Sequence, residues 1–251
     1  MIPKYRKQFN AEFSPEKYQN ILDHLQEEGG IYPQFRVSES PIFLTTEFID
    51  KLHGACDSII SQIKEMSPQE LDLAIPDDCR VPNDTLQPHF FTIDFGICQN
   101  EKGEIVPELI ELQSFPTLYC FQKELQNAFV SEYDFLKPLK TPKSDEQYYQ
   151  ELRDLIVGDE NPENVILMEI FPDSQKTNID FYLTKKRLGI EIVCLTKVKK
   201  EGRKLYYEKD GRKIQIKRIY NRVIFDEINK IPDLKTEFDF REEADVKWIT
   251  H

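Results

Sequence analysis

The sequence predicts a mixed α and β fold: a helical N-terminal region, an antiparallel hairpin bearing carboxylates, and a small α/β domain. Three observations predict it. Phe48, Leu52, Ala55, Ile59 and Ile63 recur at helical spacing in the first third of the chain. Two largely apolar strands flank the turn QNEKGE near residue 100. Past residue 162, the apolar runs NVILMEIF and IEIVCLT are separated by a helical stretch closed by Gly189. That is the pattern of parallel strands covered on both faces.

Each element has its own signal. SPEKYQNILDHLQEEGG opens on Ser-Pro and stops at paired glycines, the start and stop marks of a helix. TTEFIDKLHGACDSIISQIKEM is a second helix, and SPQELDLAIP a short capped one ended by proline. A loop rich in Pro, Asp and Asn leads into the hairpin. PTLYCFQKELQNAFVSEYDFL and KSDEQYYQELRDLIVGDENP read as two further helices. The Gly/Asp/Asn/Pro break at residues 158–162 is the expected domain boundary, giving domains 1–160 and 161–251. Beyond it come strand, helix and strand, then a hairpin with Asp-Gly at its turn in RKLYYEKDGRKIQI. KRIYNRVIFDEI reads as a strand running into a helix, followed by an acidic tail.

Composition narrows the function classes. The chain has 251 residues, 39% of them hydrophobic and 12% aromatic, enough for a large core. No window approaches the roughly 18 apolar residues that span a bilayer, and the N-terminus MIPKYRKQFN has no apolar run. Five scattered cysteines (Cys56, Cys79, Cys98, Cys120 and Cys194), with no CxxC pair, point to reduced thiols and a cytoplasmic location. A net charge of -12 speaks against nonspecific nucleic-acid or anionic-membrane binding. Residues 164–223 are nevertheless basic, with 15 Lys/Arg against 7 Asp/Glu. A basic lobe of that kind suits an anionic ligand, unless its lysines are spent on neighbouring acids.

The hairpin is the sharpest functional signal. A hairpin that only holds a fold together puts its charges at the turn, but this one carries Asp94, Glu108, Glu111 and Gln113 along its strands. Centring the turn near Lys102 and Gly103 sets Asp94 across from Glu111 or its immediate neighbour. Alternation puts Glu111 and Gln113 on one face and Glu108 with Ile110 and Leu112 on the other. Opposed carboxylates repel unless a cation intervenes. Mg²⁺ suits the set, being held by one or two carboxylates together with substrate phosphates. Gln113 adds an amide oxygen. Of the histidines, His24 and His53 fall on helices and His251 is the last residue, so only His89 stands beside the metal strand.

The stretch IDFGICQNEKGEIVPELIELQSFPT resembles the metal-binding segment of glutathionylspermidine synthase and related circularly permuted ATP-grasp ligases. There a strand with an Asp is followed by a turn, a strand ending Glu-x-Asn, and a Pro-Thr. By position the resemblance implies that Asp94, Glu111 and Gln113 hold Mg²⁺ and that Pro116-Thr117 form the following turn. Gln113 stands for the family's Asn, and Thr92 stands where the family usually has a phosphate-stabilising Arg. The later strand–helix–strand unit, the hairpin and KRIYNRVI are similar to the family's substrate-side (pre-ATP-grasp) domain. Arg218, Tyr220 and Arg222 match the strand that approaches a carboxylate substrate. The implied activity is ATP-dependent joining of a small-molecule carboxylate to an amine through an acyl phosphate. The ATP-clamping segment of the family follows the substrate-side domain, so ATP binding is expected of a segment beyond His251. Two alternatives stand beside this one. A non-catalytic binding module is suggested by Thr92 and the missing clamp. A Mg²⁺-dependent nuclease is suggested by Asp94 with Glu111-Leu112-Gln113, although the acidic balance weighs against it.

Overall fold

The structure is a computed structural model and describes residues 2–82, 88–113, 117–139 and 143–250, the side chain of Asp78 excepted. The fold is mixed α and β, and the chain divides into two units. Unit 1 is Met1–Glu12, Ser40–Arg80 and Phe90–Pro116. Unit 2 is Phe13–Glu39, Val81–His89 and Thr117–His251. The expected boundary at 160/161 falls inside unit 2, and the N-terminal region alternates between the two units.

Unit 1 holds α1 (Pro3–Glu12) and, with α2 (Pro15–Gly29) assigned to unit 2, continues with α3 (Thr46–Glu65) and α4 (Pro68–Leu73). Tyr5 and Phe9 of α1 pack their rings on Phe43, with centroids 5.9 and 6.3 Å away. Thr45 caps α3 by accepting the Phe48 N–H, and Ser67 and Glu70 form a reciprocal capping box on α4. β1 (Thr92–Gln99) and β2 (Ile105–Gln113) form a two-stranded antiparallel sheet. Its turn is fixed by Asn100 Oδ1, which accepts the N–H groups of Lys102 and Glu104. Between α3 and β2 lies an open groove of about 520 Å³, lined in part by Ile59, Ile63, Met66 and Leu109.

The register contains a bulge that alternation alone does not foresee. Asp94 pairs with Glu111, but the next residue, Phe95, pairs with Leu109, so Ile110 is the extra residue. Gly96 then pairs with Glu108. Asp94 and Gly96 share a face, so Glu108 lies on the face of Asp94 and not on the opposite one. A Cβ built on Gly96 would sit 3.8 Å from Ile110 Cδ1, which puts Ile110 on that face too.

Unit 2 is built on a four-stranded parallel sheet. β3 (Val165–Glu169) lies between β4 (Glu191–Cys194) and β8 (Arg218–Asn221), and β9 (Lys247–Ile249) forms the far edge beside β8. All five residues of β3 are buried, as a strand covered on both faces requires. The three-stranded sheet of β5 (Lys199–Glu201), β6 (Lys204–Lys209) and β7 (Arg212–Ile216) shares a core with one face. Ile166, Met168, Ile219, Leu205, Ile216 and Phe238 are among that core. β6 and β7 join through Asp210 and Gly211, both at positive φ, the turn that matches strand twist.

α5 (Tyr119–Glu132), α6 (Asp145–Ile156) and α7 (Asn178–Leu188) pack with α2 as a helical layer. α2 approaches α7 closely at Gly29, where a Cβ would meet Ile179 Cγ1 at 2.6 Å. α7 connects β3 to β4, the strand–helix–strand unit that the apolar runs predict. α8 (Phe225–Asn229) follows β8.

Candidate metal and substrate sites

Asp94 and Glu111 are a directly opposed pair in the ladder, and Thr92 opposes Gln113. The Gln113 side-chain amide nitrogen donates to Glu111 Oε1 and lies 3.4 Å from Asp94 Oδ2. The three expected metal residues therefore converge on one face of unit 1, with Asp94 half-buried and Glu111 and Gln113 exposed. The amide takes the position between the acids that a cation would otherwise fill. Glu108 shares the face but stands farther along the strand. Among the described residues, no group of three or more His, Cys, Asp or Glu side chains is placed to hold a metal ion. The donor set is two carboxylates and an amide. Pro116 and His251 lie outside the described residues. His89 belongs to unit 2, where burial, then the charges of Lys247 and Arg218, holds its imidazole below the ordinary range.

Arg218 and Tyr220 lie on β8 and Arg222 follows its last residue, and the three are placed differently. Arg218 stands at the start of β8, where its Nε donates to Ile156 O at 2.9 Å and its Nη2 to Leu155 O at 2.7 Å. These are two of the last carbonyls of α6, which no helical N–H can reach. Gly158, at φ +60°, passes over the guanidinium so closely that a Cβ there would lie 2.9 Å from Nη1. Tyr220 is wholly buried, and burial pushes its phenol up. Arg222 stands just past the other end of the strand, its N–H bonded to Met168 O at 2.9 Å.

Arg222 has acidic company that the hairpin-centred sequence analysis did not single out. Its charge acts on Glu169, the last residue of β3, and on Asp180 in the first turn of α7. Glu169 is 4% exposed, and burial raises its carboxyl to about 7. Its carboxylate accepts the Ile170 N–H at 2.7 Å. Chain order reverses between β3 and β8, and in open parallel sheets ligands bind outside the carboxyl ends of strands at such a point. Glu169 and Arg222 stand there. The acid inside NVILMEIF is the signal that marks Glu169, since parallel-strand runs are otherwise apolar.

Asp180 does different work. It is 1% exposed and accepts the N–H groups of Leu118 at 3.2 Å and Phe121 at 2.9 Å. α5 begins after Leu118, whose side chain cannot cap a helix, so Asp180 caps it from another element. Burial raises the Asp180 carboxyl, while these N–H donors and Arg222 oppose the shift.

The basic lobe is neutralised locally. Lys185 and Lys209 both reach Glu191, Arg212 reaches Glu163, Lys217 reaches Glu160, and Lys199 reaches Glu237. Its positive excess is therefore not gathered into an anion-binding patch by these residues. No helix among the described residues is long and apolar enough to cross a membrane. No family model matches the chain, and no curated protein matches it.

Proposed function

We propose that the chain carries the metal-holding and substrate-side parts of an ATP-dependent carboxylate–amine ligase of the permuted ATP-grasp kind. One relationship supports this above all: Asp94 directly opposite Glu111, with the Gln113 amide spanning both. Two carboxylates and an amide fit Mg²⁺, which takes oxygen ligands and usually completes its shell with water and phosphate. A half-turn of the amide exchanges its nitrogen for its oxygen, so Asp94, Glu111 and Gln113 would hold the ion. Bound there, Mg²⁺ would supply neutralisation of phosphate charge during phosphoryl transfer.

The protein's own share is positioning. The ladder holds Asp94 and Glu111 at a fixed spacing. Arg222 orients the substrate carboxylate at the switch-point edge, where its planar fork suits two parallel hydrogen bonds. Arg218 is committed to the α6 carbonyls and takes no part. Isothermal titration of the chain with Mg²⁺ tests the assignment. Heat should be lost in Asp94→Asn and Glu111→Gln, and equal binding by these variants refutes it.

A second proposal, a non-catalytic binding module, draws on the same residues. The Gln113 nitrogen satisfies both acids without any metal, and Thr92 stands where the ligases have arginine. Absence of Mg²⁺ heat from the unmodified chain favours the module.

A further inference from the structure

The face of the hairpin turned away from Asp94 is apolar along its length. Ile93 opposes Leu112, Phe95 opposes Leu109 and Ile97 opposes Pro107, each pair sharing that face of the ladder. α3 packs against β2, with Lys51 Nζ donating to Ile105 O at 3.4 Å, yet the groove between them stays open. Ile59, Ile63 and Met66 line one side of it and Leu109 the other. Ile63, Met66 and Leu109 remain 37, 42 and 53% exposed. Large apolar side chains left in water around one concavity favour a surface that covers them.

Charge selects the occupant. Ser40–Arg80 and Phe90–Pro116, the segments that build the groove, hold 13 Asp/Glu against 4 Lys/Arg. Glu65 and Glu70 line the groove itself. Glu70 is fixed by the capping box, its Oε2 accepting the Ser67 N–H at 2.8 Å, and that bond holds its carboxyl below the ordinary range. Glu65 is the last residue of α3, where the helix dipole presents its negative end. A second copy of this chain would bring the same acids to the rim, and the rim would repel an anionic bilayer. Ile59, Ile63 and Met66 recur four and three residues apart, the ridge spacing against which another helix packs. That ridge is about 10 Å long, two helical turns.

We propose that the groove between α3 and β2 is a docking site for a cationic amphipathic helix of another protein. Its apolar residues, one turn apart, seat on Ile59, Ile63, Met66 and Leu109. Its lysines or arginines flank that stripe and face Glu65 and Glu70. The groove lies on the opposite face of the hairpin from Asp94 and Glu111, so docking there is independent of the Mg²⁺ assignment.

The test is fluorescence anisotropy with the full chain and a labelled peptide of about 18 residues, long enough to form a helix. It places leucine at i, i+3, i+4 and i+7 and lysine elsewhere. Binding should saturate at low salt and weaken as salt rises. A peptide of the same composition with its leucines scattered should bind about tenfold more weakly or worse. Leu109→Thr and Ile63→Gln are neutral changes at side chains more than one-third exposed, so both should fold. Each should weaken binding about tenfold, the scale of one leucine or isoleucine side chain left in water. Glu65→Gln should weaken it about 1.4- to fivefold and flatten the salt dependence, as loss of an exposed ion pair does. Equal binding of the two peptides, or affinity unmoved by Leu109→Thr and Ile63→Gln, overturns the proposal. So does a dimer of the chain alone that Leu109→Thr dissociates in sedimentation, which gives the groove to a second copy. Co-sedimentation with phosphatidylcholine vesicles that Leu109→Thr abolishes overturns it too, in favour of a membrane.

Discussion

Arg218 of β8 and Gly158 beyond α6 form a lock: the guanidinium donates to the Leu155 and Ile156 carbonyls, and the glycine passes over it without a Cβ. Gly158→Ala meets both a left-handed φ of +60° and a 2.9 Å approach to Nη1. The backbone term alone costs about 1–2 kcal/mol. Arg218→Ala leaves two carbonyls without this donor, and a bond to a charged group is worth about 1.5–3 kcal/mol. Urea denaturation of unit 2 should show both losses. Near-equal stability of Gly158→Ala and the unmodified chain would sink the account.

Asp180→Ala removes the cap of α5 and strands the N–H groups of Leu118 and Phe121. Loss of a cap costs about 0.5–2 kcal/mol, and the buried Phe121 N–H left alone puts the loss at the upper end of that range. Asp180→Asn keeps one acceptor oxygen and should fall between. Far-ultraviolet circular dichroism during denaturation measures both variants.

Glu169 makes stability depend on pH in a defined direction. Its carboxyl is raised from 4.5 to about 7, by burial first, so the folded chain holds a proton that the unfolded chain has released. Between those values the folded state binds more protons, and stability falls as pH rises. The full effect is about 3 kcal/mol, complete above pH 7 and absent below 4.5. Glu169→Gln should remove this component. Comparing midpoints of Glu169→Gln and the unmodified chain at pH 5 and pH 8 checks it.

Gln113→Leu leaves Asp94 and Glu111 facing each other with no donor between them. Opposed like charges in a ladder cost about 0.2–1 kcal/mol, so thermal stability at pH 7 should drop by that order. If Mg²⁺ binds there, added Mg²⁺ should restore it. A midpoint unmoved by both the substitution and the ion would remove Gln113 from the site.

Much of this was legible in the sequence, and the failures have physical causes. The Asp210-Gly211 hairpin and the β3–α7–β4 unit follow from local chemistry that each segment carries within itself. Counting outward from Lys102 and Gly103 found the Asp94–Glu111 pair. The same count misplaced Glu108, because Ile110 is an extra residue and alternation has no means of showing a skipped step. Asp180 was invisible as a cap because the helix it caps begins some sixty residues earlier. Arg218 read as a ligand-binding arginine because an unmade helix end leaves no mark at the distant side chain that completes it. The Gly158 break lies inside one unit, because Arg218 ties the residues before it to the sheet after it.

The Gln113 amide also sets a threshold. Any cation entering between Asp94 and Glu111 must first displace a donor that is covalently part of the site and always present. Gln113 is thus a built-in competitor, and the measured dissociation constant for a metal would exceed the intrinsic one by the occupancy of the amide-bridged state. Traces of divalent ion would leave the hairpin closed on itself, and filling would begin only where the supply outweighs that self-contact.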